Sequence, residues 1–422
     1  MTKLQHRGRS SSSKTGPTPS PAAKQVPTYV KALLGGSGSD LMNDPRAVQE
    51  VLKLVGKSPE DIDVLYLGTA TYDISGFFIR QTQRFVEAGC TVNALKVAGV
   101  LEEDDDDHIA NLSDEERLWY YESQIDDADI LVVGGGNTLF ALDRWRALGL
   151  DHALRSAAKR GAVLTGGSAG AIWCFDGGHS NSADPATYKG YRVKKFAHRS
   201  PEEIVDEIYS YKMDTGDDSD EESDSDDMSS SGDNEDSDSD MSDSDSDSDA
   251  VSSKPKSSSK GNSWEYFRVS GLGILPGLVS PHLDRTQSNG VLRAHDFDKC
   301  LLQHPGEVGI GIDHFAALII DGSKFRVLSL EGKEGTVKDG SDFVEDGSGR
   351  PGVWIKHVVS GKVVSAVCPP TGHLKDILRV ASKIQQDFSE TKKCRFENPD
   401  CGWVPSQSLV VSRSIADRSS RQ

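Results

Sequence analysis

The sequence predicts an α/β fold, a mainly parallel sheet with helices on both faces followed by a more antiparallel C-terminal half. Short apolar runs alternate with segments of helical apolar spacing over residues 29–165, the pattern of strands joined by crossover helices. Glycine-rich turns follow four of those runs, at Gly35–Gly38, Gly68–Ala70, Gly134–Thr138 and Gly166–Gly170, where such sheets carry their functional loops. After residue 300 the apolar runs follow one another with little helical spacing between them.

In order, Tyr29–Leu34 reads as a strand, and 45–56 as a helix with Val48, Val51, Leu52 and Val55 on one face and Gly56 as its stop. Asp63–Leu67 is a strand, Phe77–Ala88 a helix closed by Gly89, and Cys90–Val97 a strand. The acid run Glu102–Asp107 reads as a loop, 114–124 as a helix and Asp129–Val133 as a strand. Leu139–Leu150 and Leu154–Lys159 look helical, Ala162–Thr165 extended, and the apolar Ala171–Phe175 helix-like. Val269–Val279, Gly309–Asp313, Ala316–Ile320, Phe325–Leu330 and Val353–Val359 read as the strands of the second half, and Leu374–Phe388 as a last helix.

The charge is local. The 422 residues carry 66 Asp and Glu against 47 Lys and Arg, a formal charge of −19. Asp214–Asp249 holds 18 of those acids and no base, which leaves 48 acids against 47 bases elsewhere. From 214 to 260 the composition is Ser, Asp and Glu, too poor in apolar surface to offset its ordering entropy. This tract interrupts a folded unit rather than separating two, since a long loop adds only about 0.6 kcal/mol per doubling of its length. The expected organisation is a basic Ser/Pro-rich tail over 1–27, one domain over 28–368 interrupted at 214–260, and a helix and polar tail over 369–422. The acidic tract suits basic protein partners and would repel nucleic acid. Its serines are flanked by acids, which suits acidophilic kinases.

Six cysteines lie scattered, at 90, 174, 300, 368, 394 and 401, with no C-x-x-C pair. Reduced thiols are the simpler reading, neither a disulfide framework nor a zinc site. No apolar run approaches the roughly 20 residues that span a bilayer. The cytoplasm is the expected compartment, with organelle targeting by the basic tail as the alternative.

The pattern with most chemistry is Gly166-Gly167-Ser168-Ala169-Gly170, a G-x-S-x-G between a strand and an apolar segment. A serine there sits on a tight turn that exposes its hydroxyl, and the small neighbours let the backbone turn sharply. Gly134-Gly-Gly-Asn-Thr138 is a second close-approach loop, without the Lys-Ser/Thr of a P-loop or the spacing of a dinucleotide fingerprint. A serine nucleophile needs a base. Among eleven histidines, His282 stands in a loop after an apolar run, His179 is near the serine in sequence, and His314 follows another strand. No H-E-x-x-H or similar ligand set calls for a metal, and no cofactor is expected.

Taken together, Gly134-Gly-Gly-Asn-Thr, Gly-Gly-Ser-Ala-Gly-Ala, Gly-Leu-Gly-Ile-Leu before Pro281-His282, and Gly-Ile-Asp313 before Ala316-Ala-Leu resemble the dipeptidase E-like serine peptidases, which include the cyanophycinases. The resemblance spans about 29–330 without the acidic tract. It implies a glutamine-amidotransferase-like, flavodoxin-type sheet and the hydrolysis of short peptides, in known members after an N-terminal Asp. It assigns Ser168 as nucleophile, His282 as general base, the region of Gly136 and Ala169 as the source of oxyanion amides, and Asn137 as a substrate contact. The acid falls at Asp184, while Asn181 occupies the Ser-x-Ser position where close relatives place an aspartate. Arg285 and Arg293 are implied to bind the substrate carboxylate. The alternatives are a catalytically weakened peptide- or protein-binding member of the same fold, and an α/β-hydrolase esterase.

Overall fold

The computed structural model describes residues 26–99, 109, 111–196, 200, 202–205, 264–338 and 342–378. The acid run Glu102–Asp107, the tract 214–260, nearly all of the basic tail and the polar C-terminal tail lie outside these residues.

The first sheet has eight strands. Five are parallel: β1 (Lys31–Gly35), β2 (Asp63–Leu67), β3 (Thr91–Ala94), β4 (Ile130–Val133) and β5 (Val163–Gly167). Their spatial order is β3-β2-β4-β5-β1. This is the flavodoxin-like order 2-1-3-4-5 with the first strand of the chain filling the fifth place. Beyond β1 the sheet continues through three later strands paired antiparallel: β10 (Ala316–Asp321), β11 (Lys324–Ser329) and β14 (Thr371–His373).

Both faces of the parallel strands are covered, and their residues alternate between two apolar cores. Leu33, Val64, Tyr66, Ile130 and Val132 face α2 (Pro45–Val55) and α3 (Ser75–Ala88), which follow the four-residue α1 (Ser39–Met42). Leu34, Leu65, Leu67, Leu131 and Val133 face α4 (Asp114–Asp127), α5 (Thr138–Leu148) and α6 (Leu150–Arg160). Burial on both sides explains why these strands read as continuous apolar runs. The helices stop where the sequence says: Gly56 and Gly89 cap α2 and α3 in the left-handed conformation, at φ 76° and 98°.

The second sheet has six strands in the order β13-β12-β9-β8-β6-β7. They are β6 (Phe175–Ser180), β7 (Phe267–Ser270), β8 (Leu275–Ser280), β9 (Gly309–Ile312), β12 (Val353–Val359) and β13 (Lys362–Val367). One face joins the core of the first sheet through Phe175, Val279, Ile310 and Val353. The other packs Leu278 and Trp354 against Phe297 and Leu301 of a helix, Arg293–Gln303, that the apolar spacing did not announce.

Two further expectations are corrected. The helix after Ser168, α7 (Ala169–Ile172), ends after four residues, and the chain runs on as β6 instead of staying helical to Phe175. Pairing with β7 and β8 outweighs the local apolar pattern. Gly177 and Gly178 permit it, because a Cβ there would press on Arg268 and Ile172. The run Val269–Val279 is two strands, broken at Gly271–Gly273 where the chain turns between β7 and β8. Of the expected last helix, Leu374–Ile377 is described and the rest lies outside the described residues.

Candidate active site

The loops after β1, β2, β4 and β5 meet at one end of the first sheet. Asn137 N–H donates to the Ala70 carbonyl at 2.8 Å, and a Cβ on Gly167 would overlap the Ser37 carbonyl oxygen. A Cβ on either Gly166 or Gly170 would overlap the Val133 carbonyl oxygen. The G-x-S-x-G glycines are thus required by backbone packed on backbone.

Ser168 sits between β5 and α7 at φ 56°, ψ −123°. L-residues rarely take this conformation, and it persists only where the surroundings enforce it. The Ser168 N–H donates to the Gly35 carbonyl at 3.3 Å, and the residue is half-buried. Gly135 lies alongside, the position of a Cβ on it being 3.3 Å from the Ser168 Cβ. The amides of Gly135, Gly136 and Ala169 donate no backbone hydrogen bond among the described residues.

His282 comes from the second sheet, two residues after β8, and also has a positive φ, 49°. Its N–H donates to the Gly36 carbonyl at 3.2 Å. Consecutive carbonyls of one loop therefore hold Ser168 and His282, so both backbones lie at the same end of the sheet. In this conformation, among the described residues, the serine hydroxyl is not hydrogen-bonded to the ring; such bonds are often long until substrate binds. Burial, with the charges of Arg293 and Arg285, pushes the His282 ring well below the ordinary histidine range. It is neutral at neutral pH, as a general base must be.

The other assigned residues are placed as follows. Asn137 is buried and committed to the protein. Its Oδ1 caps α5 by accepting from Phe140 N–H at 3.0 Å, and its Nδ2 donates to Ser182 O and Thr187 Oγ1. These bonds make it a helix cap and a tie to the 182–187 loop. Asp184 likewise caps a short 3-10 turn, accepting from Ala186 N–H at 2.9 Å and from Ser288 Oγ at 3.2 Å. Among the described residues, no hydrogen bond joins its carboxylate to the His282 ring. Asn181 follows β6 directly, and its carbonyl accepts from Asp184 N–H at 2.8 Å. What touches His282 Nδ1 is His314 Nδ1, at 2.9 Å.

Arg293 is fully buried. Its Nη2 donates to the His179 carbonyl and its guanidinium lies 5.1 Å from the Tyr266 ring centroid, yet Nε and Nη1 have no hydrogen-bond partner. Burial pulls its pKa down to about 10. Arg285 is half-exposed, stacked 5.5 Å from the Phe315 ring centroid. His179 is buried on β6 between Tyr266 and Phe297, with Nε2 on Asp296 at 2.9 Å and Nδ1 on Ser280 Oγ at 3.3 Å.

The family model for peptidase family S51 matches residues 32–197, from β1 through the serine turn to the helix Lys189–Phe196. Over that stretch the chain is similar to peptidase family S51. That match supports a serine peptidase. It is 51% identical over 61 residues to the uncharacterized peptidase YgaJ of Bacillus subtilis strain 168, a stretch that is 14% of this chain and 26% of that protein. It is 25% identical over 359 residues, 83% of this chain and 88% of the relative, to a Trypanosoma brucei brucei protein named G2/mitotic-specific cyclin-1. Two solved structures also align. A peptidase E-type protein from Listeria monocytogenes EGD-e has 13% identity and a TM-score of 0.38, covering 72% of this chain and 99% of its own. A peptidase from an acI-B1 Actinobacterium has 14% identity and a TM-score of 0.42, covering 82% and 99%. Among the described residues, no helix is long and apolar enough to cross a membrane.

Proposed function

We propose that the chain hydrolyses short peptides, dipeptides with an N-terminal aspartate foremost, through an acyl-enzyme on Ser168. The observation that carries this reading is that Ser168 and His282, from different sheets, both have positive φ and hang on the adjacent carbonyls of Gly35 and Gly36. His282 removes the hydroxyl proton as Ser168 Oγ attacks the peptide carbonyl. Amides of the Gly134–Gly136 loop and Ala169 take up the oxyanion, and the N-terminal end of α7 adds favourable dipoles. The protonated ring then passes its proton to the leaving amine, and water releases the acid.

The unpaired Nε and Nη1 of Arg293 favour an anionic substrate group, since a buried guanidinium gains most from a carboxylate. Arg285 is the second cation on that side. The catalytic unit in this reading is 28–368 without 214–260, and the acidic tract is a docking segment for basic proteins.

The test is a dipeptide panel with Asp-Xaa, Glu-Xaa, β-aspartyl and neutral members, run on wild type and Ser168→Ala, with a fluorophosphonate probe in parallel. Expected are Asp-Xaa cleavage and labelling in wild type and neither in the variant. A variant that still turns substrate over would refute the mechanism. Wild type that neither labels nor cleaves would favour the peptide-binding alternative, which the missing serine–ring hydrogen bond keeps in view.

A further inference from the structure

Among the described residues, the hydrogen-bond partner of His282 Nδ1 is a second histidine and not the expected acid. The chain of contacts is explicit. His282 Nδ1 lies 2.9 Å from His314 Nδ1, and His314 Nε2 lies 2.7 Å from Asp40 Oδ2. His314 is itself fixed at both ends of its peptide: its N–H donates to Asp284 Oδ1 at 2.7 Å, and its carbonyl accepts from Ser37 Oγ at 2.8 Å. Its ring stands edge-on to Phe315, with centroids 4.5 Å apart.

The proton positions follow from valence. An ionised carboxylate only accepts, so His314 Nε2 must carry hydrogen to meet Asp40. In a neutral ring that leaves His314 Nδ1 as a lone pair, which accepts. His282 Nδ1 must therefore be the donor, and the lone pair of His282 falls on Nε2. This is the tautomer that a general base needs when its Nε2 side faces the nucleophile. The ionised state of Asp40 has its own support. The Asp40 side chain is 53% exposed, and the hydrogen bond from His314, with the charges of Arg285 and Arg80, holds its carboxyl below the usual range.

We propose that Asp40 and His314 are positioning residues that lock His282 with its proton on Nδ1, taking the place of the single acid of a Ser-His-Asp arrangement. The inference rests on the reading of His282 as the base. When Ser168 gives its proton to His282 Nε2, the imidazolium keeps its Nδ1–H on His314, which keeps its Nε2–H on Asp40. No second proton moves, and the carboxylate acts through one intervening ring.

The experiment is long-range ¹H–¹⁵N correlation on the full chain labelled with ¹⁵N-histidine, with steady-state kinetics on the same samples. Expected in wild type are opposite tautomers, His282 protonated on Nδ1 and His314 on Nε2. Asp40→Ala should mix the His282 tautomers and lower kcat by about 10- to 100-fold with KM changed less than about threefold. Asp40→Glu should recover most of that loss. His314→Gln, whose side-chain oxygen can still accept from His282 Nδ1, should outperform His314→Ala. Finding His282 protonated on Nε2, or a tautomer and kcat indifferent to Asp40→Ala, would overturn the proposal. The resonance readout needs no turnover, so it decides the arrangement even if the peptidase reading fails. Ser168→Ala should abolish hydrolysis with both tautomers unchanged, which separates the two claims.

Discussion

Replacing Ser168 with glycine should remove activity and make the protein more stable. At φ 56°, ψ −123° the serine occupies backbone space that suits glycine, and holding an L-residue there costs about 1–3 kcal/mol. The surroundings enforce it: the residue's N–H is bound to Gly35 O, and Gly166, Gly167 and Gly170 are each packed too closely for a side chain. Glycine removes the strain but adds about 0.4–1 kcal/mol of unfolded-state entropy. The balance is a gain of about 1 kcal/mol, or roughly 2 °C in unfolding midpoint for a domain of this size. Ser168→Ala is the control, since it loses the hydroxyl but keeps Cβ, and it should stay within about 0.5 kcal/mol of wild type. The assay is urea and thermal unfolding of the three proteins followed by tryptophan fluorescence. A glycine variant less stable than the alanine variant would refute the strain argument, whatever the substrate proves to be.

Arg293→Met should lower kcat/KM for Asp-Xaa dipeptides by about 10- to 100-fold, the worth of a charge-assisted hydrogen bond, and leave neutral dipeptides nearly unaffected. Its unfolding midpoint should not fall, because a buried cation with two unpaired N–H groups is replaced by an apolar chain of similar size; equal losses for both substrate classes would count against the carboxylate role. The His179 ring, pushed down to about 4 chiefly by burial, stays neutral in the fold while the unfolded ring protonates near 6.5. Its contribution is therefore complete above about pH 6.5 and lost as pH falls toward 4, by at most about 3 kcal/mol. Burial raises Asp73 to about 6, and burial with the Asp284 charge raises Asp313 to about 7, so these two act with the opposite sign over the same range. The measurement is accordingly a difference: the stability gap between wild type and His179→Gln should narrow from pH 7 to pH 4, and a constant gap would exclude the assignment.

The parallel strands and their loops were legible because each apolar run ends in glycines with a packing reason, as at Gly166 and Gly167. β6 was hidden because Ala171–Phe175 has helical spacing for only part of its length, and the Gly-Gly after it looks like a break until β7 and β8 lie beside it. Asn137 and Asp184 carried a local signal that points to capping. Asn137 precedes an apolar helix, and Asp184 precedes a proline at the first position of a turn, both cap patterns. Asp40 gave no such signal. It meets His314 across 274 positions of sequence, a separation at which neither spacing nor composition is informative.

That separation bears on how the site comes into being. Ser168 belongs to the first sheet and His282 to the second, while Gly35 ends β1, the strand that β5 and β10 flank, and Gly36 opens the turn after it. His314 lies between β9 of the second sheet and β10 of the first, and Asp40 opens on the far side of the same glycine turn. In the proposed relay, His282 and His314 follow neighbouring strands of the second sheet, while Asp40 reaches His314 from the first. In the proposed mechanism, the carbonyls of Gly35 and Gly36, which bind the Ser168 and His282 backbones, are where the geometry of nucleophile and base is set.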